Sequence, residues 1–319
     1  MPDIYCKIFE RIVVMDESNI DSLILNPFKD NNFLLSEFKK KISIKYLSNK
    51  YNSKDKYEVV IMAAGKGTRM DLSYPKPLFE IDYPNGKKSI IVNLLHTIKE
   101  AIPNISSIQI VINSLDIDFF QDIKDLDSKI TFVQLESSQI NGTARCLDIV
   151  KDYLLLEKNV MLFWGDLGMI PASHIFLSAI LHEKFNPLIT MPTRFKKDPY
   201  VGLIRNNKGK YIEIFHSNEE NQYLGWAEQD SLFFILNKNI FSLLSDYLTK
   251  KEIIQKREVD FINCIPWFNR YNNIIGIPIS DGMNVSGINN MEKAHVVNKY
   301  LHKFSKEKYH NYFLNRSKI

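Results

Sequence analysis

The run Val59-Val60-Ile61-Met62 delivers the chain into Ala63-Ala64-Gly65-Lys66-Gly67-Thr68-Arg69, and Pro75-Lys76-Pro77 follows within a few residues. Small residues let a backbone approach a ligand closely, and Gly65 and Gly67 tolerate dihedrals that other residues resist. Successive N–H groups in such a turn can wrap phosphate oxygens. Arg69 supplies a planar fork of donors and Lys76 a compact point charge, a pair suited to a triphosphate. A Walker A loop needs its Lys after the last glycine, whereas Lys66 precedes Gly67. A dinucleotide fingerprint needs a small residue where Met70 stands. A purely structural strand-to-helix turn is the alternative; Thr68-Arg69 and the downstream Lys76 favour phosphate binding.

A second apolar run, Val160–Trp164, ends at Gly165-Asp166. Ligands of open α/β sheets bind beyond the carboxyl ends of strands. A carboxylate at that point suits Mg²⁺, which takes oxygen ligands and commonly uses one or two carboxylates together with phosphates. Asp also serves well as a helix N-cap, so the residue alone leaves both roles open.

These groups need a scaffold, and the chain alternates strand-like with helical runs from Tyr57 onward. Glu58–Ala63, Ser107–Ile112, Ile130–Leu135, Val160–Trp164, Leu188–Met191 and Ser231–Leu236 read as strands. Ile91–Ile98, Thr143–Tyr153, Pro171–Glu183, Asp260–Asn269 and Asn290–Lys303 read as helices, and Gly202–Arg205 with Tyr211–Phe215 as a hairpin. The rhythm predicts an α/β fold: a mostly parallel, Rossmann-like sheet with helices on both faces. The polar stretch Ser48–Lys56 reads as a linker. It separates an N-terminal extension, residues 1–56, with apolar pieces Ile4–Met15 and Phe33–Leu47, from a domain over 57–319. The extension carries no catalytic pattern and reads as a packing or dimerisation element, compatible with a homo-oligomer.

Composition narrows the function classes. The 319 residues hold 41 basic and 37 acidic side chains, a net charge of +4, which gives no support for a nucleic-acid groove. With 45% hydrophobic and 24% charged residues the chain is ordinary globular material. No apolar run approaches the ~18 residues of a membrane span. Cys6, Cys146 and Cys264 form no disulfide or zinc pattern, and charged residues break up the N-terminal apolar stretch where a signal peptide's core would lie. A cytoplasmic location is therefore expected. Only 12 glycines and no hexapeptide period argue against a β-helical tail.

The segment A-A-G-x-G-T-R-M followed by P-K-P-L resembles the signature of the sugar-1-phosphate nucleotidyltransferases, in particular the uridylyltransferase domain of the bacterial bifunctional N-acetylglucosamine-1-phosphate enzyme. The resemblance runs from about Tyr57 to Tyr300. It implies Mg²⁺-dependent transfer of a uridylyl group from UTP to N-acetylglucosamine-1-phosphate, with pyrophosphate released; another base or sugar, or an inactive nucleotide-sugar sensor, are the alternatives. Bifunctional relatives carry an acetyltransferase of hexapeptide repeats, which this sequence does not show, so uridylyl transfer alone is expected. By resemblance Arg69, Lys76 and Asp166 are catalytic. Ala63, Ala64, Gly65, Gly67 and Thr68 join Arg69 and Lys76 in holding the nucleotide. Gln139, Gly142 and Thr143 resemble the segment that contacts the base, with one extra residue between Gln139 and Gly142; Gly142-Thr143 would also start the next helix. Asn289 would complete the metal site with Asp166, although Asn284 replaces the acid that opens that motif. On the sugar side the resemblance implies Trp164, Gly202, His216, Asp230 and Glu258. There the family usually carries Glu at His216, Asn at Asp230 and Asp at Asn263.

Overall fold

The computed structural model describes residues 57–65, 67–206, 210–216, 226–254, 258–271, 274–278 and 286–315. The expected extension over 1–56 lies outside them. In chain order the principal elements are β1 (Tyr57–Met62), β2 (Glu80–Tyr83), β3 (Gly86–Ser89), α1 (Ile90–Ala101), β4 (Ile105–Asn113), β5 (Ile130–Leu135), α2 (Thr143–Val150), β6 (Asn159–Trp164), β7 (Leu167–Met169) and α3 (Ala172–Phe185). There follow β8 (Ile189–Lys197), β9 (Val201–Arg205), β10 (Tyr211–His216), β11 (Trp226–Asp230), β12 (Phe233–Leu236), α4 (Ile240–Leu248), α5 (Ile265–Tyr271), β13 (Ile274–Pro278), β14 (Ser286–Gly287) and α6 (Met291–Leu301).

Ten of these strands form one sheet in the order β10-β9-β11-β8-β12-β6-β1-β4-β5, with β13 added beside β8. β1 lies between β4 and β6 and is parallel to both, and β5 continues the parallel set. β12 runs antiparallel to β6 and β8, and the β9–β10–β11 extension is antiparallel throughout. The expected α/β fold, Rossmann-like with its sheet covered on both faces, is thus present.

Apolar residues at successive strand positions explain the double covering. Val59, Ile61, Met161, Phe163, Phe233 and Ile235 pack with α1 and α3 in one core. Val60, Leu162, Phe234 and Leu236, one residue out of step, pack with α2, α4 and α5 in another. Strands apolar at every position are buried on both sides, because neighbouring side chains point to opposite faces. A third core joins Met70, Ile81 and Tyr83 to α6 and the C-terminal residues Tyr309 and Phe313. Thus Met70, the residue that spoils the dinucleotide fingerprint, is buried against the C-terminal helices.

Several boundaries depart from the expected ones. The helix expected over Asp260–Asn269 is a 3₁₀ turn, Phe261–Cys264, followed by α5. Pro266 near the start of α5 lacks an N–H, a defect tolerated in a helix's first turn. β8 runs past Pro192, where a strand reading from sequence stops, and the Pro192 carbonyl accepts a hydrogen bond from Ser231 N at 2.9 Å. Ser231 itself precedes β12. Helix α2 closes at Val150 and continues only as the 3₁₀ turn Lys151–Tyr153.

Helix α3 carries two buried histidines, His174 and His182, at 6% and 0% exposure. His182 Nδ1 lies 2.8 Å from Thr190 Oγ1. Burial pushes both imidazoles down from 6.5 to about 3. Both therefore remain neutral in the folded protein while the unfolded chain takes up protons below about pH 6.5. The stability they permit is complete above that value and falls as the pH drops from 6.5 towards 3, by up to about 1.4 kcal/mol per pH unit for each histidine. Urea unfolding at pH 7.5, 6 and 5 is expected to show this loss, and His182→Asn to make it shallower. An unchanged pH slope in that variant contradicts the assignment.

Candidate active site

The register of β1 with β6 sets Met62 beside Trp164, so the loops leaving both strands emerge together at the carboxyl edge of the sheet. Gly165 N donates to Met62 O at 2.8 Å, and Ala63 N donates across the other side to Val111 O at 2.8 Å. A side chain at Gly165 would place its Cβ only 2.8 Å from Met62 O, so this crossing requires glycine. Chain order reverses direction at β1, a topological switch point where open α/β sheets form their ligand crevice.

Beyond β1 the glycine-rich turn folds back. Gly67 sits at φ 59°, in the left-handed region, and its carbonyl accepts from Met70 N at 3.0 Å. The 3₁₀ turn Lys76–Leu78 then brings Lys76 Nζ within 2.5 Å of Asp166 Oδ2. These side chains are 15% and 18% exposed. The other carboxylate oxygen, Asp166 Oδ1, is buried and has no hydrogen-bond partner among the described residues. β14 pairs with β7, and Ile288 N donates to Asp166 O at 2.8 Å. That pairing places the backbone of Asn289 one residue beyond the segment touching Asp166.

A cavity of about 480 Å³ opens between these elements. Ala63, Ala64, Gly65, Arg69, Lys76, Gly142, Thr143, Trp164, Asp166 and Glu258 line it. Gly67 belongs to the same turn but is not among the lining residues. The other expected site residues stand elsewhere. Gln139 is exposed and turned into its own loop, where Oε1 accepts from Glu136 N at 2.8 Å; Asn141 lines the cavity in its stead. Gly202 is buried within the sheet opposite Phe215. His216 Nε2 lies 2.7 Å from Asn263 Oδ1, joining two of the positions at which the chain departs from the family pattern. Asp230, 6% exposed, accepts from Leu232 N at 2.9 Å. Burial pushes its carboxyl up, while the Leu232 N–H and Arg194 pull it down and Asp166 raises it further. Neither His216, Asp230 nor Asn289 is among the lining residues.

Sequence reasoning missed Asn141, Cys146 and Asp260 as lining residues. Gly142, at φ 91°, lies so close to Val259 that an added Cβ would sit 2.4 Å from its carbonyl oxygen. Ala144 N donates to Val259 O at 2.9 Å, and Val259 N to Asn141 O at 3.0 Å. Residues more than a hundred positions apart thereby form one wall, and no local pattern announces such a junction. Burial pushes the Cys146 thiol up to about 11, so it stays protonated and unreactive near neutral pH.

The donor set fits a hard divalent cation that keeps most of its coordination for substrate and water. Asp166 lines the crevice with one carboxylate oxygen buried and without a hydrogen-bond partner, and no cluster of three His, Cys, Asp or Glu side chains that could hold a metal occurs among the described residues. Mg²⁺ commonly uses one or two carboxylates with substrate phosphates, in contrast to the all-protein cages of zinc.

This is the fold of the sugar-1-phosphate nucleotidyltransferases, with the loop and carboxylate at the sheet's switch point. No family model matches the chain. It is 25% identical over 256 residues to the bifunctional protein GlmU of Buchnera aphidicola subsp. Schizaphis graminum, an alignment covering 78% of this chain and 52% of that protein. GlmU of Syntrophomonas wolfei is 25% identical over 239 residues, covering 73% and 50%. The chain thus spans about half the length of these relatives. Among solved structures, a protein assigned as a glucose-1-phosphate thymidylyltransferase from Bacillus anthracis superimposes with a TM-score of 0.62 at 15% identity, over 78% of this chain and 96% of that one. HddC from Yersinia pseudotuberculosis gives 0.56 at 17% identity, over 76% and 99%. Among the described residues no helix is long and apolar enough to cross a membrane.

Proposed function

We propose that this domain transfers a nucleotidyl group from a nucleoside triphosphate to a sugar-1-phosphate, with UTP and N-acetylglucosamine-1-phosphate as its substrates. The observation that carries the reading is the crevice where Arg69, Lys76 and the half-buried Asp166 meet the glycine turn. The resemblance to GlmU proteins over most of the domain supports uridylyl transfer in particular. The reading assigns these residues that one transfer and no acetylation.

An oxygen of the sugar-1-phosphate attacks the α-phosphorus of UTP, and the bond to the β-phosphate oxygen breaks as pyrophosphate leaves on the opposite side. The attacking oxygen is already ionised near neutral pH, so no side chain has to remove a proton. The chain's work is to bring two anions together and hold them in line. Like unit charges 4 Å apart repel by about 4 kcal/mol at an effective dielectric of about 20. Arg69 and Lys76 supply positive charge against that repulsion, and the backbone of Ala64 to Gly67 approaches the phosphates. Asp166, with Asn289 one residue past the segment that bonds its backbone, would hold Mg²⁺, which neutralises phosphate charge when bound. The uncharged end of the nucleotide then lies toward Gly142, Thr143 and Asn141.

A different sugar is the second reading, favoured by the His216–Asn263 contact at positions where the family has acids. Pyrophosphate release measured across the four common nucleoside triphosphates and a panel of sugar-1-phosphates separates the two. The expected result is release that requires UTP, N-acetylglucosamine-1-phosphate and Mg²⁺. Release with another sugar alone selects the second reading, and no release with any pair rejects both.

A further inference from the structure

The start of α2 faces the cavity, yet its first donors are already taken. Thr143 N donates to Asp260 Oδ1 at 3.0 Å, and Thr143 Oγ1 donates to the same oxygen at 3.1 Å. The hydroxyl in turn accepts from Phe261 N at 2.8 Å. Thr143 and Asp260 both line the cavity. Gly142, the residue before the helix, offers no side chain to cap it, so the cap arrives from 117 positions away. Uncapped helix N-termini attract anions through their free N–H groups and the helix dipole. Arg69 and Lys76 line the same cavity.

We propose that Asp260 is a positioning residue for the nucleotide: its carboxylate closes the amino end of α2 and fixes Thr143 in the cavity wall. The inference rests on the reading of this cavity as a nucleotide site. Asp260 acts through Thr143 and the α2 backbone, at a distance from the reacting phosphorus. Its loss therefore weakens binding of ground state and transition state alike, which raises KM and leaves kcat nearly unchanged.

The test compares wild type, Asp260→Ala, Asp260→Asn, Thr143→Val and the Asp260→Ala/Thr143→Val double variant. Each is assayed for KM and kcat with UTP at saturating sugar-1-phosphate, alongside its melting temperature. Asp260→Ala is expected to raise KM for UTP by about tenfold with kcat within about threefold, the mark of uniform binding. Asp260→Asn keeps the oxygen acceptor and is expected to recover most of the affinity. The double variant is expected to be no worse than the poorer single one, since the two residues act as a unit. An unchanged KM in Asp260→Ala, additive losses in the double variant, or a fall confined to kcat overturns the inference. If Asp260→Ala does not fold, Thr143→Val decides: an unchanged KM there overturns it equally. A wild type that turns over no triphosphate refutes the functional reading itself. A wild type that turns over UTP beside an indifferent Asp260→Ala refutes only the positioning role.

Discussion

Asp166→Asn is expected to lower turnover by about 10²–10³-fold, the usual loss when one preorganised electrostatic contact is removed from a reacting centre. Asn keeps the size of the side chain and one acceptor oxygen but removes the negative charge. That charge now meets Lys76 Nζ at 2.5 Å through one oxygen, while the other oxygen is buried with no partner among the described residues. A neutral amide in the same place can satisfy Lys76 in part, but it binds a hard divalent cation weakly. Stability should change little, because Asp166 also holds its loop through its backbone carbonyl, which accepts from Ile288 N at 2.8 Å. Purified Asp166→Asn should therefore melt close to wild type while turning over far more slowly at every Mg²⁺ concentration. Wild-type turnover at saturating metal would falsify its role.

Lys76→Ala is expected to cost turnover on the same scale, about 10²–10³-fold, for a different reason. Lys76 is held by a turn whose Pro75 and Pro77 restrict the backbone, so its charge is aimed before any ligand arrives. Removing it leaves both oxygens of Asp166 without a cation and takes positive charge from the crevice in which a sugar phosphate and a triphosphate would meet. Lys76→Arg should recover only part of the rate, since a planar guanidinium fork does not reproduce a compact ammonium. The measurements are initial rates of pyrophosphate release for the three proteins over a Mg²⁺ titration, with circular dichroism to verify the fold. Equal rates for Lys76→Ala and wild type would remove Lys76 from the reaction.

The difference between the legible and the illegible parts of the site follows the range of the contacts. The glycine turn and the Gly165-Asp166 end of β6 were readable because each sits immediately beyond an apolar strand, and strands of that kind are delivered to one edge of a parallel sheet; Arg69 and Lys76 were readable as cations following that turn in the sequence. The wall formed by Gly142 and Val259 was readable only in part. Gly142 and Thr143 were legible as a helix start, but Gln139 proved to be bound up in its own loop, and Asn141 and Asp260 gave no signal. Asp260 is recognisable as a cap only once the chain has brought it across 117 positions to Thr143. Gly202, which the resemblance placed on the sugar side, lies inside the sheet.

By itself the sequence determined the alternation of buried strands and helices, since residues apolar at consecutive strand positions need cover on both faces. It also determined the composition of the first loop, because small residues and two cations are local properties. Only the tertiary structure decided that β11 and β12 run antiparallel beside the parallel set. It alone decided that Lys76 closes on Asp166, and that a distant carboxylate caps α2. Those outcomes depend on which surfaces meet when the cores form, and packing of residues far apart in the chain leaves no periodic trace along it.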